Sequence, residues 1–138
     1  MIVNDVFGNY IVEAIHLSEW DFYLTGSRFF GTVTTSSDYD FFVKDMIVVR
    51  DFLFELGFED IQKDYKYCDS SIVGVLRHES GVDVQLIENE LMCRMKNAIQ
   101  NTALDMKDYP PRNKSSNRFW WQKRLTYAYA IYHLCRGN

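Results

Sequence analysis

The chain has little of what staples or interrupts a fold. Its three cysteines, Cys68, Cys93 and Cys135, are odd in number and far apart, and its two prolines, Pro110 and Pro111, are adjacent. That cysteine pattern excludes a CxxC metal clip and a disulfide framework, and leaves reduced thiols in a cytoplasmic protein as the expectation. No run approaches the roughly 18–20 apolar residues of a membrane span. The opening MIVNDVFGNY lacks a basic region followed by an apolar stretch, so no signal peptide is expected. His16, His78 and His133 are scattered without HExxH or paired-ligand spacing. A histidine-built metal centre is therefore not expected. There is no internal repeat and no low-complexity tract.

What is present points to one packed domain. The 138 residues are 47% hydrophobic and 16% aromatic, which suits a buried core rather than disorder. A single domain over residues 1–138 is expected, since domains most often hold about 100–150 residues. The net charge of −4 conceals an asymmetry: residues 1–90 carry 17 acidic against 6 basic side chains, and residues 91–138 carry 2 against 9. A basic end of this kind either folds back onto the acidic part or meets a polyanion.

Hydrophobic spacing divides the chain into an α+β pattern. A helix is predicted over about Asn4 to Ser18, then a strand from Trp20 to Thr25 broken at Gly26. A turn-rich connection, RFFGTVTTSS, leads to a second strand, Asp38 to Val43. Met46 to Leu56 reads as a helix ending at Gly57. Three strands follow, Ile61–Tyr67, Ile72–His78 and Val82–Ile87, the last two as a hairpin about Glu79-Ser80-Gly81. A helix from Glu90 to Met106 carries the stripe Leu91, Met95, Ala98/Ile99, Thr102 and Met106. Lys107 to Ser116 reads as a loop. A last helix, Asn117 to Arg136, aligns Trp121, Leu125, Ala128, Tyr132 and Cys135 as a core-packing face or a dimer surface.

The chemistry lies in the acids. Residues two apart on a strand share a face, so Asp38 and Asp40 stand side by side, their Cα atoms about 6.5–7 Å apart. Tyr39, Phe41 and Val43 take the opposite face. The strand GVDVQLI repeats this logic, with Val82, Val84 and Leu86 on one face and Asp83 and Gln85 on the other. If the two strands are neighbours, three carboxylates converge. Such oxygen-rich clusters suit Mg²⁺ or Mn²⁺, the cations of nucleotidyl transfer. Gly26 permits a sharp turn with close backbone approach. Ser27 and backbone amides at that turn can hold phosphate oxygens, and Arg28 adds a fixed positive fork.

The stretch GSRFFGTVTTSSDYDFFV resembles the signature of the DNA polymerase β-type nucleotidyltransferase superfamily. Within it the chain looks most like the minimal domains, such as those paired with HEPN toxins and the core of aminoglycoside nucleotidyltransferases. Gly26-Ser27 is followed by ten residues, Arg28 to Ser37, then Asp38-Tyr39-Asp40, and Asp83 matches the third acid on a later strand. The resemblance covers about residues 20–88 and leaves 89–138 as a helical extension without an assigned motif. It implies a small mixed sheet with helices on one face and extra C-terminal helices. It further implies that Gly26, Ser27 and Arg28 hold a nucleoside triphosphate, that Asp38 and Asp40 bind Mg²⁺ or Mn²⁺, and that Asp83 completes the site. A nucleoside monophosphate would pass to a hydroxyl of a protein, an RNA or a small molecule, with pyrophosphate leaving.

Phe29-Phe30 depart from the small and basic residues found there in many relatives. The missing cation puts Arg77, Lys123 and Arg124 forward as substitutes. Phe42 is a candidate to line a base or ribose pocket, and Trp120 and Trp121 with Arg118, Lys123 and Arg124 a candidate single-stranded RNA surface. The alternative reading is a binding module of the same fold, antitoxin-like or inhibitory, with little turnover.

Overall fold

A computed structural model describes residues 9–26, 29, 38–61, 72–109 and 117–136. Helix α1 (Tyr10–Leu17) is followed by β1 (Tyr23–Thr25), β2 (Tyr39–Lys44), α2 (Ile47–Glu55), β3 (Glu59–Asp60), β4 (Ile72–His78) and β5 (Val82–Ile87). A 3₁₀ turn at Asn89–Leu91 then leads into α3 (Met92–Met106), and α4 (Asn117–Arg136) ends the described chain. The class is α+β, as the spacing predicts. The first helix is described only from its cap onward, since the predicted segment before Asn9 lies outside the described residues. A two-residue strand lies at Glu59–Asp60; the strand expected over Ile61–Tyr67 falls, after Ile61, outside the described residues.

The five strands form one mixed sheet in the order β1-β2-β5-β4-β3. Only β2 and β5 run parallel; the other neighbours are antiparallel. The β4–β5 hairpin turns at Gly81, whose φ of +91° suits glycine, and α2 stops at Gly57 with φ +101°. Every residue of β5 is buried. The central strand is thus covered on both sides, which explains why its outward positions include Gln85 rather than a charge-rich alternation.

Alternation along the strands builds two cores. Phe41, Val43, Val82, Val84 and Leu86 point to one face, where Ile11, Val12 and Ile15 of α1 and Val49 and Leu53 of α2 cover them. On the opposite face Phe42 and Ile87 meet Met95, Ala98 and Ile99 of α3 and Leu134 of α4. Tyr23 stacks on Phe42 at 5.2 Å between centroids. The expected one-sided helix layer therefore holds for α1 and α2. The C-terminal pair closes over part of the face that bears the acids. Phe42 is only 2% exposed, so it serves that second core and does not line an open pocket.

Asn9 ties the first helix to the hairpin. Its Oδ1 accepts from the amides of Ile11 (2.8 Å) and Val12 (3.3 Å), capping α1. Its Nδ2 donates to the carbonyl oxygen of Ser80 at 3.1 Å, 71 residues away. Ser80 in turn donates its amide to Nδ1 of buried His78 at 3.0 Å. Among the described residues no helix is long and apolar enough to cross a membrane.

Candidate active site at the start of the parallel pair

The parallel pairing of β2 and β5 sets Asp40 directly beside Asp83. Asp38 lies two residues before Asp40, at the mouth of the same face. Two further contacts fix this corner. The amide of Tyr39 donates to the carbonyl of Gly81 at 2.8 Å, and a Cβ placed on Gly81 would come within 3.1 Å of Asp38 Oδ1. On the other side, Thr25 of β1 is in register with Asp40. Gly26 follows with φ +70°, and a Cβ placed there would overlap the Asp40 carboxylate. Glycine at 26 is thus required twice, by its backbone angle and by the carboxylate against it. Ser27 and Arg28, the other two predicted phosphate holders, lie outside the described residues, as do Phe30 to Ser37.

Three acids this close raise the energy of the ionised state. Burial, then Asp83 and Asp38, push the Asp40 carboxyl from 3.8 up to about 7, against smaller opposing effects of Lys123 and Arg77. The role of Lys123 shows that α4 brings a cation towards the acids. A carboxyl held this way near neutrality is a common mark of a functional cleft.

Asp83 is neutralised within the chain. Arg77, its partner across the β4–β5 pair, donates Nε to Oδ1 at 2.7 Å and Nη2 to Oδ2 at 2.9 Å. The hydrogen bonds to Asp83 also raise the Arg77 guanidinium above its ordinary value. The Asp83 side chain is 10% exposed and that of Arg77 is 54% exposed, so the carboxylate is nearly buried while its cation reaches solvent. In the sequence Arg77 stands out only as one of three substitute cations. The hairpin register, which places residue 77 opposite residue 83 across a tight turn, carried the missed signal. With the side chains so arranged, no group of three His, Cys, Asp or Glu among the described residues is set to hold a metal. Asp38 and Asp40 form the available donor pair, hard oxygens that suit Mg²⁺ or Mn²⁺.

Two buried polar groups also await a partner. The hydroxyl of Thr25, beside Asp40 in register, and Nε2 of Gln122 on α4 have no hydrogen-bond partner among the described residues. Unmet polar atoms are costly when buried and call for a bound group or water. Gln85, on the acid face, is 1% exposed, so it is a core position and not an accessible site residue.

Arg77→Ala is the direct test of the paired acid. It strands a nearly buried carboxylate and is expected to destabilise the fold by about 1–3 kcal/mol. It also removes a charge that lowers the Asp40 carboxyl, so that group should titrate above its present value. Carbon-detected NMR of the Asp side chains reads the change; an unmoved Asp40 would show that Arg77 does not act on the cluster.

Compared with known proteins, the chain matches no family model, no curated protein and no solved structure at a significant level.

Proposed function

We propose that the chain is a divalent-metal-dependent nucleotidyltransferase, moving a nucleoside monophosphate from a nucleoside triphosphate to an acceptor hydroxyl. The observation that carries this reading is the register of Asp40 beside Asp83 on parallel strands, with the Gly26 turn pressed against the Asp40 carboxylate. A structural role offers no reason to gather carboxylates that repel one another into a half-buried corner. In this reading the finer fold is that of the nucleotidyltransferase family, consistent with the Gly26-Ser27 spacing to Asp38 and Asp40.

Asp38 and Asp40 would hold Mg²⁺ or Mn²⁺, which neutralises charge on the triphosphate and on the reacting phosphate when bound. The turn at Gly26 and Ser27, with Arg28, would take the triphosphate. Arg77 supplies the cation that the Phe29-Phe30 segment lacks, since its guanidinium already faces the acids and is half open to solvent. The acceptor oxygen forms a bond to the α-phosphorus while the bond to the bridging oxygen breaks. Pyrophosphate leaves, and the hydroxyl proton passes to a carboxylate of the trio. Positioning and charge neutralisation account for most catalysis of this type.

The bidentate Arg77–Asp83 pair favours one rival, a binding module of the same fold with weak or no turnover, because the third acid is satisfied without a cation. Pyrophosphate release with ATP, GTP, CTP and UTP in Mg²⁺ separates the two. Wild type is expected to release pyrophosphate with at least one of them, and Asp38→Asn and Asp40→Asn to slow it by about 10³-fold. Equal rates in wild type and both variants would discard the enzyme.

A further inference from the structure

Helix α4 is turned opposite to its hydrophobic pattern. Among its described side chains the buried ones are Gln122, Thr126, Ala130 and Leu134, two of them polar. The face predicted to pack in the core points outward instead: Trp121 is 59% and Tyr132 is 53% exposed. Arg118, Trp121, Leu125, Ala128, Tyr132 and Arg136 run as one strip at helical spacing, all of them exposed except half-buried Leu125. The strip is about 27 Å long at the rise of an α-helix. Arg124 is exposed beside it, and Arg136 lies 5.4 Å from the Tyr132 ring centre. The whole helix contains no Asp or Glu.

Charge decides what covers this face. A second copy of the chain packed α4 on α4 antiparallel would bring Arg118 of one copy to Arg136 of the other, and parallel packing would set like on like. A polyanion would meet the guanidinium groups of Arg118, Arg124 and Arg136, with no carboxylate on α4 itself to repel it. Aromatic rings interleaved with arginine give bases a stacking surface and phosphates a partner, without dependence on base identity. Lys123, at the same end of α4 but on its inward side, acts on Asp40, so that end of the helix lies towards the acids.

We propose that the outward face of α4 is a track for a single-stranded nucleic acid, whose terminal hydroxyl is the acceptor at the Asp38/Asp40 corner. The acceptor assignment rests on the transferase reading; the binding does not. The test is fluorescence anisotropy of labelled oligo(U), oligo(A) and oligo(dT) with the full chain, wild type and Asp38→Asn/Asp40→Asn. Both proteins should bind the strand, with an affinity that falls as salt rises. Trp121→Ala and Tyr132→Ala should each weaken binding about tenfold, and Arg124→Ala should flatten the salt dependence, all three melting as wild type does. Oligo(U) against oligo(dT) distinguishes RNA from DNA.

The track is overturned if wild type binds no oligonucleotide at low salt, or if the two aromatic variants bind as tightly as wild type. It is equally overturned if sedimentation shows self-association that Trp121→Ala abolishes while strand binding stays absent. Strand binding by a protein that releases no pyrophosphate would sink the transferase reading and leave the track. Transfer to a protein by a chain that binds no strand would do the reverse.

Discussion

Asp40→Asn is expected to produce a protein that is more stable than wild type above neutral pH but about 10³-fold slower in pyrophosphate release. The Asp40 carboxyl titrates near 3.8 when the chain is unfolded and at about 7 in the fold. Between those values the folded state keeps a proton that the unfolded state has released, so wild-type stability falls as pH rises through this window. Moving a carboxyl from 3.8 to about 7 corresponds to about 4 kcal/mol, fully felt above the upper value. Asparagine has no proton to lose. The two proteins should therefore unfold at similar denaturant concentration near the lower end of the window and diverge towards mild alkali. Mg²⁺ should narrow the gap by stabilising wild type alone, since only the ionised pair gains from a cation. Urea titrations at several pH values, with and without Mg²⁺, measure both effects. A difference that does not change with pH would mean that the three acids do not share a corner.

Gly26→Ala should damage both fold and site. Its φ of +70° is strained for alanine, and the added methyl would overlap the Asp40 carboxylate. Left-handed backbone costs about 1–2 kcal/mol outside glycine, and steric relief around the carboxylate should bring the total to about 2–4 kcal/mol. Because relief displaces Asp40, pyrophosphate release should drop by about 10²-fold or more even in the fraction that folds. Activity per folded molecule, with folding followed by circular dichroism, distinguishes the two effects. Combining Gly26→Ala with Asp40→Ala, which removes the carboxylate that the methyl would overlap, provides a cross-check. The paired substitutions should cost less than their separate effects suggest if Gly26 acts through that carboxylate. Simple additivity would place the steric conflict elsewhere.

Much of this was legible in the residues, because strand alternation is a rigid rule. Tyr39, Phe41 and Val43 alternate with Asp38, Asp40 and Phe42, and the strand of Asp83 does the same, so the acid face followed once the two strands were neighbours. The hairpin was equally plain from Glu79-Ser80-Gly81. The α3 stripe held from Met95 onward, with Met95, Ala98, Ile99, Thr102 and Met106 all buried, while Leu91 falls in the 3₁₀ turn before the helix and is half-buried. The orientation of α4 was not legible. Periodicity finds an apolar face and assumes that the core takes it, yet α4 packs chiefly along α3. Thr126 can face inward because its hydroxyl donates to the carbonyl of Gln122 at 2.9 Å, and Thr102 on α3 does the same towards Ala98 at 2.7 Å. Self-satisfied threonines with Ala98 and Ala130 give small contact surfaces where α3 and α4 pack. Hydrophobicity alone does not register that option. Likewise, the Arg77–Asp83 pair depends on strand register, which composition does not express.

The Asn9–Ser80 bond orders events during synthesis. An isolated helix of eight residues is too short to persist in water, where about 12–15 are needed even for favourable sequences. The first helix emerges from the ribosome long before the turn that receives its capping residue. It must wait, unformed, until the Ser80 turn has been made, so this helix settles only after a segment 71 residues later in the chain has folded.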